Sequence, residues 1–151
     1  MSDTPLPPGV CGYHDVSVGD FIELGPMTIS ADLVDQFAAV SGDRYELHMD
    51  DHYAVGHGFD RRVAHGLLIL SVVDGMKNNA PAKLGGLVSL GWNWSFRSPV
   101  LVEDTIHARL EIADKRLTSS GRRGILGLNF SVFNQHDFLV QNGSNELLFE
   151  L

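Results

Sequence analysis

The run Leu67-Leu68-Ile69-Leu70-Ser71-Val72-Val73 constrains this chain more than any other stretch: as a helix it is apolar on every side and demands burial all round. It stops well short of the roughly 18 apolar residues that a bilayer crossing requires, so it reads as the axis of a core. The residues that follow can supply the surrounding wall. Val88, Leu90, Trp92, Trp94 and Phe96 alternate with Ser89, Gly91, Asn93, Ser95 and Arg97. Ile106, Ala108, Leu110 and Ile112 alternate with His107, Arg109 and Glu111, and Leu126, Leu128, Phe130 and Val132 repeat the period of two. Such alternation marks half-buried antiparallel strands. Turn signals fall at Ser98-Pro99, Ser119-Ser120-Gly121 and Asn134-Gln135-His136-Asp137, and a last strand starts at Phe138, with a break expected at Asn142-Gly143.

A one-sided sheet and an all-round apolar helix are satisfied together when the sheet curls about the helix, the α+β arrangement called the hot-dog fold. With 151 residues there is material for one core. The expected division is a flexible N-terminal arm over 1–14 and a single hot-dog domain over 15–151. The arm contains Thr4-Pro5-Leu6-Pro7-Pro8-Gly9, too proline-rich for a helix or an inner strand. Val16 to Leu24 reads as a first strand. Ser30 is a good N-cap for a helix with Asp32 in its first turn and an apolar face of Leu33, Val34, Phe37, Ala38 and Val40. From Gly42 to Arg62 no period survives, and an irregular excursion of this length usually carries function. A sheet wrapped on one helix leaves an edge and an apolar flank exposed, so a homodimer is expected.

Nineteen acidic against eleven basic residues give a net charge of -8, which disfavours nucleic acid and anionic membranes as partners. The single cysteine, Cys11, makes no internal disulfide and leaves too few thiolates for a structural zinc or iron-sulfur centre, which fits a reducing cytoplasm. Met1 to Gly9 has neither the basic nor the apolar region of a targeting signal, so a cytoplasmic, soluble protein is expected.

The excursion reads Ser41-Gly42-Asp43-Arg44-Tyr45-Glu46-Leu47-His48 and leads to Arg61-Arg62-Val63-Ala64-His65-Gly66-Leu67. This resembles the MaoC-like hot-dog hydratases, including the (R)-specific enoyl-CoA hydratases, whose motif runs Ser-Gly-Asp-x-Asn-Pro-x-His, followed by an arginine and a His-Gly at the start of the central helix. The similarity continues through Phe96-Arg97-Ser98-Pro99-Val100 and Glu103-Asp104-Thr105. Tyr45-Glu46 replaces the usual Asn-Pro, Arg62 stands where a proline often precedes the helix, and Asp74 stands where some hydratases carry a serine near the dyad.

Hydrating a 2-enoyl thioester needs a base to activate water at C3, an acid to protonate C2 and a donor for the enolate oxygen. The resemblance implies that Asp43 and His48 hold the water and that the Gly66 N–H, at a helix N-terminus where backbone donors are free, holds the thioester oxygen. Arg62, Asp74 and Arg97 are further candidates for substrate contact, and Arg61 with Arg62 would suit a carboxylated acyl group. His65 reads as a buried histidine orienting the loop. The cluster His48, Asp50, Asp51, His52 and His57 offers ligand types for zinc or iron, yet no regular helix puts His48 and His52 on one face, so no metal is expected. The reading is reversible conversion of a 2-enoyl-CoA to a 3-hydroxyacyl-CoA, with an acyl-CoA or acyl-carrier thioester as the partner and no cofactor beyond that thioester. A hot-dog acyl-CoA thioesterase and an inactive acyl-thioester-binding module are the alternatives.

Overall fold

The computed structural model describes residues 3–151, so Met1 and Ser2 of the expected arm lie outside the described residues. In chain order the elements are β1 (Gly9–Cys11), β2 (Phe21–Thr28), α1 (Ala31–Ser41), α2 (Glu46–Met49), α3 (Asp51–Gly56), α4 (Gly66–Asn79), β3 (Ala82–Leu84), β4 (Val88–Phe96), β5 (Thr105–Leu117), β6 (Arg123–Phe133) and β7 (Leu139–Glu150). Five strands form one antiparallel sheet in the order β2-β5-β6-β7-β4. The alternation of β5 and β6 does what its period requires: Ile106, Ala108, Leu110, Ile112, Leu126, Leu128, Phe130 and Val132 are all buried, in one cluster with Leu68, Ile69 and Val73 of α4. Each fully buried Ile or Leu of this kind contributes about 1.5–3 kcal/mol. This is the hot-dog arrangement, a sheet curled around a central helix. None of the helices among the described residues is long and apolar enough to cross a membrane.

Four details depart from the sequence reading. The central helix is not buried all round: the sheet covers the face bearing Leu68, Ile69 and Val73, while Leu67 is 60% exposed. Beyond the apolar run the helix continues and buries Lys77, whose Nζ lies 2.9 Å from Asp74 Oδ1 and 5.8 Å from the centre of the Trp92 ring. On α1 the Ser30 hydroxyl accepts from Leu33 N–H as expected, but the buried face is Val34 and Ala38, and Val40 points to solvent at 88% exposure. The last strand runs unbroken through Asn142-Gly143, because Gly143 packs so closely on the backbone of Asn93 and Trp94 that a side chain would not fit. The first strand starts later than expected, since Asp20 accepts from Ser17 N–H and closes a turn at 17–20.

The described part of the arm lies along the body. β1 pairs with β3 in parallel, Tyr13 and Cys11 are buried, and Phe21 N–H donates to Thr4 C=O while Leu6 N–H donates to Phe21 C=O. This occupies the outer edge of β2 at Phe21. The opposite edge strand, β4, has β7 as its one hydrogen-bonded neighbour among the described residues and leaves Val88, Leu90 and Phe96 exposed beside Leu87.

Candidate active site

The excursion between α1 and α4 is ordered by its own polar side chains. Gly42, at φ 77°, ends α1 in the left-handed region and donates its N–H to Ala38 C=O. Asp43 follows, its N–H on Ser41 Oγ at 3.1 Å and its Oδ1 accepting from Tyr45 N–H at 3.2 Å. Asp50 then caps α3 by accepting from the N–H groups of His52 and Tyr53. Helices of four and six residues are too short to show periodicity, which is why the sequence reads as irregular there.

Arg62 fastens this segment. Its Nε donates to His48 C=O at 2.6 Å, its guanidinium pairs with Asp35 of α1 at 2.5 Å, and its N–H donates to Asp51 at 2.8 Å. An expected substrate contact is thus a clasp joining α1, α2 and α3, and it is not among the cavity walls. Arg61 is likewise engaged, with Asp104 at 2.9 Å and with Val102 C=O. Asp74, paired with Lys77, also stands away from the cavity.

Asp43 and His48 come together. The carbonyl of Val63 can only accept, so His48 Nδ1, 2.7 Å away, carries the proton. In the neutral ring Nε2 then presents a lone pair, 3.9 Å from Asp43 Oδ2. Two acceptors at that separation do not bond to each other, but both can accept from one water between them. His65 supports the pair from behind: its ring stacks on His48 with centroids 4.0 Å apart, and its Nε2–H donates to Asp43 C=O at 2.8 Å. His65 is 2% exposed, its Nδ1 has no partner, and burial lowers its pKa below the usual histidine value, helped by the nearby His48 and Arg62.

Asp43, His48 and His65 are also where, among the described residues, three potential metal-ligand atoms lie within 4.8 Å of one another; His52 and His57 do not join them. The set is ill-suited to an ion. Lone pairs of stacked imidazoles, here tilted by 29°, run side by side rather than converging.

These groups line one side of a cavity of about 530 Å³. The other side is the tip of α4, Gly66 and Leu67, with Phe96, Arg97, Ser98, Pro99, Val100 and Gln141 from the strand ends. Among the described residues the N–H groups of Gly66 and Leu67 have no protein partner. Phe96 lies against Gly66 so closely that a Cβ there would clash with the edge of its ring. Arg97 lines the cavity and donates from Nε to Asn142 at 2.9 Å. The sequence reading missed Phe96 and Gln141 as site residues. For Gln141 a signal was present: a polar residue inside a strand next to a buried valine.

The site therefore joins an acceptor pair to free backbone donors across a cavity with apolar walls. Known proteins share this arrangement of chain. The family model described as "MaoC like domain" matches residues 17–129. A 3-hydroxybutyryl-CoA dehydratase of Methylorubrum extorquens is 32% identical over 123 residues, covering 80% of this chain and 74% of that protein. An (R)-specific enoyl-CoA hydratase of Aeromonas caviae is 37% identical over 108 residues, covering 71% and 76%. The solved unliganded (R)-hydratase of Pseudomonas aeruginosa superposes with a TM-score of 0.77 at 30% identity, covering 91% of this chain and 84% of that one. With the family match spanning most of the sheet, the central helix and the acidic-histidine segment between them, this chain belongs to the MaoC-like family.

Proposed function

We propose that the protein is a hydro-lyase that reversibly adds water across the double bond of a 2-enoyl-CoA to give the 3-hydroxyacyl-CoA. The observation that carries this reading is the 3.9 Å gap between two acceptors, His48 Nε2 and Asp43 Oδ2, facing the free donors of Gly66 across one cavity. The relatives named as enoyl-CoA hydratase and 3-hydroxybutyryl-CoA dehydratase support it. The dyad holds water and directs its oxygen to C3. The proton that water loses to the dyad is returned to C2, so the pair ends each turnover as it began. The thioester oxygen, gaining charge as the enolate forms, sits on the Gly66 N–H at the positive end of α4. No metal or redox group takes part. The acyl chain lies among Val63, Leu67, Phe96, Pro99 and Val100, and the coenzyme A or carrier portion leaves past Arg97, whose charge offsets part of the net -8. The exposed edge of β4 pairs with a second copy, giving a homodimer. The protein works in the cytoplasm.

The test is a panel of 2-enoyl-CoA esters followed by loss of enoyl absorbance, with free thiol measured in parallel. Hydration consumes the absorbance without releasing thiol. Thiol release from saturated acyl-CoA would identify a thioesterase instead, and binding without either change an inactive module.

A further inference from the structure

Gln141 sits on β7, is 2% exposed and joins three elements. Its Oε1 accepts from Trp94 Nε1–H of β4 at 2.7 Å, and its Nε2–H donates to the Gly66 C=O of α4 at 3.1 Å. The amide has one consistent orientation: the indole N–H can only donate and the carbonyl can only accept, so oxygen must face Trp94 and nitrogen must face Gly66. On its other side Gly66 is pressed by Phe96, also from β4. The other buried positions of the strand are Val140, Asn145, Leu147 and Phe149; Asn145 bonds only to β4, at Ser89 and Gly91, whereas Gln141 also reaches α4. His65, the N-cap of α4, gives no side-chain cap and ties the start of the helix to the Asp43 segment, while Gln141 ties it to the sheet.

We infer that Gln141 is a positioning residue that fixes the tip of α4, and with it the Gly66 N–H, relative to the sheet, and that Trp94 acts through Gln141. The inference rests on the hydration reading for its effect on rate, but not for its effect on the helix tip. Electrostatic stabilisation of an enolate depends on a donor already in place, and removing such a donor elsewhere costs about 100- to 1,000-fold. Loosening one costs less.

The experiment compares wild type with Gln141→Leu, Trp94→Phe and the double variant, reading kcat and KM with crotonyl-CoA, the pH profile of kcat, and amide hydrogen exchange in the first turn of α4 at Leu68 and Ile69, whose N–H groups donate to His65 C=O. Gln141→Leu is expected to lower kcat about tenfold or more, with KM within about threefold and the pH profile unmoved, because the dyad is untouched. It is also expected to speed exchange in the first turn. Trp94→Phe falls the same way but less, and the double variant matches Gln141→Leu because the two act in series. Exchange that accelerates while kcat stays within twofold of wild type overturns the rate effect and leaves hydration standing. Unchanged exchange overturns the inference itself. If wild type hydrates no 2-enoyl-CoA, the hydration reading falls, and the exchange measurement still decides whether Gln141 holds the tip.

Discussion

The two walls of the cavity are built from opposite materials. One carries the acid-base pair, Asp43 and His48, on a segment whose helices have four and six residues, with His65 stacked behind it. The other carries backbone donors on the tip of a 14-residue helix braced by β4 and β7, with side chains from the strand ends around them and Arg97 at their margin. Proton transfer tolerates a wall held by hydrogen bonds, since a histidine needs one fixed nitrogen and one free one, and Val63 C=O supplies that bias. Charge stabilisation does not tolerate drift, because a dipole acts only where it already points. The rigid wall accordingly belongs to the core and the chemical wall to the excursion.

The comparison can be broken hardest on the proton side. His48→Ala and Asp43→Asn are each expected to lower kcat at least about a hundredfold in the enoyl-CoA absorbance assay, the usual size of a general acid-base contribution. Their melting temperatures should move little, since Asp43 is exposed and His48 lies on a one-turn helix. Equal rates in wild type and variants would remove the dyad from the mechanism.

On the donor side the expected effect is smaller and recoverable. Gly66→Ala drives a methyl group into the Phe96 ring, displaces the helix tip and lowers kcat about tenfold or more. Adding Phe96→Ala vacates the space and should restore part of the loss, measured as kcat of the single and double variants. A double variant no faster than Gly66→Ala would show that crowding by Phe96 is not what requires glycine.

The smallest effect sharpens the contrast in charge. Burial lowers the pKa of His65 from 6.5, so between that value and the folded-state one the unfolded chain binds more protons. Stability therefore rises with pH across this window and is lost as pH falls below about 6.5. Thermal melts from pH 5 to 8 should show a shallower acid-side decline for His65→Asn than for wild type. Parallel curves would mean that His65 does not report its burial in this way.

How much of this was legible depends on the range of the interaction that fixes each part. β5 and β6 are readable because alternation over ten residues or more has one solution when a single face meets a core. The exposure of Val88, Leu90 and Phe96 is not readable from the same alternation, because whether a strand ends the sheet is settled by its neighbours. Asp43 and His48 are five positions apart, a spacing that permits convergence without requiring it; the resemblance of the surrounding motif carried the expectation. Arg62 flanks the loop in the sequence and so reads as a substrate contact; its partners, Asp35 and the His48 carbonyl, lie 27 and 14 residues away, beyond the reach of any local pattern. Gln141 meets Trp94 across 47 residues, and no local pattern announces such a pairing.

The unequal borders of the sheet limit how copies can add to one another. On the β2 side the residues Thr4 to Leu6 occupy the backbone groups of Phe21, while among the described residues no strand pairs with the outer side of β4. A unit with one sticky side can join a single mate in head-to-head fashion and then has no side left, whereas a unit sticky on both would grow without end into a fibre. A few proline-spaced residues at the front of the chain thus give the sheet unlike borders, one met from within at Phe21 and one left to the strand that ends it.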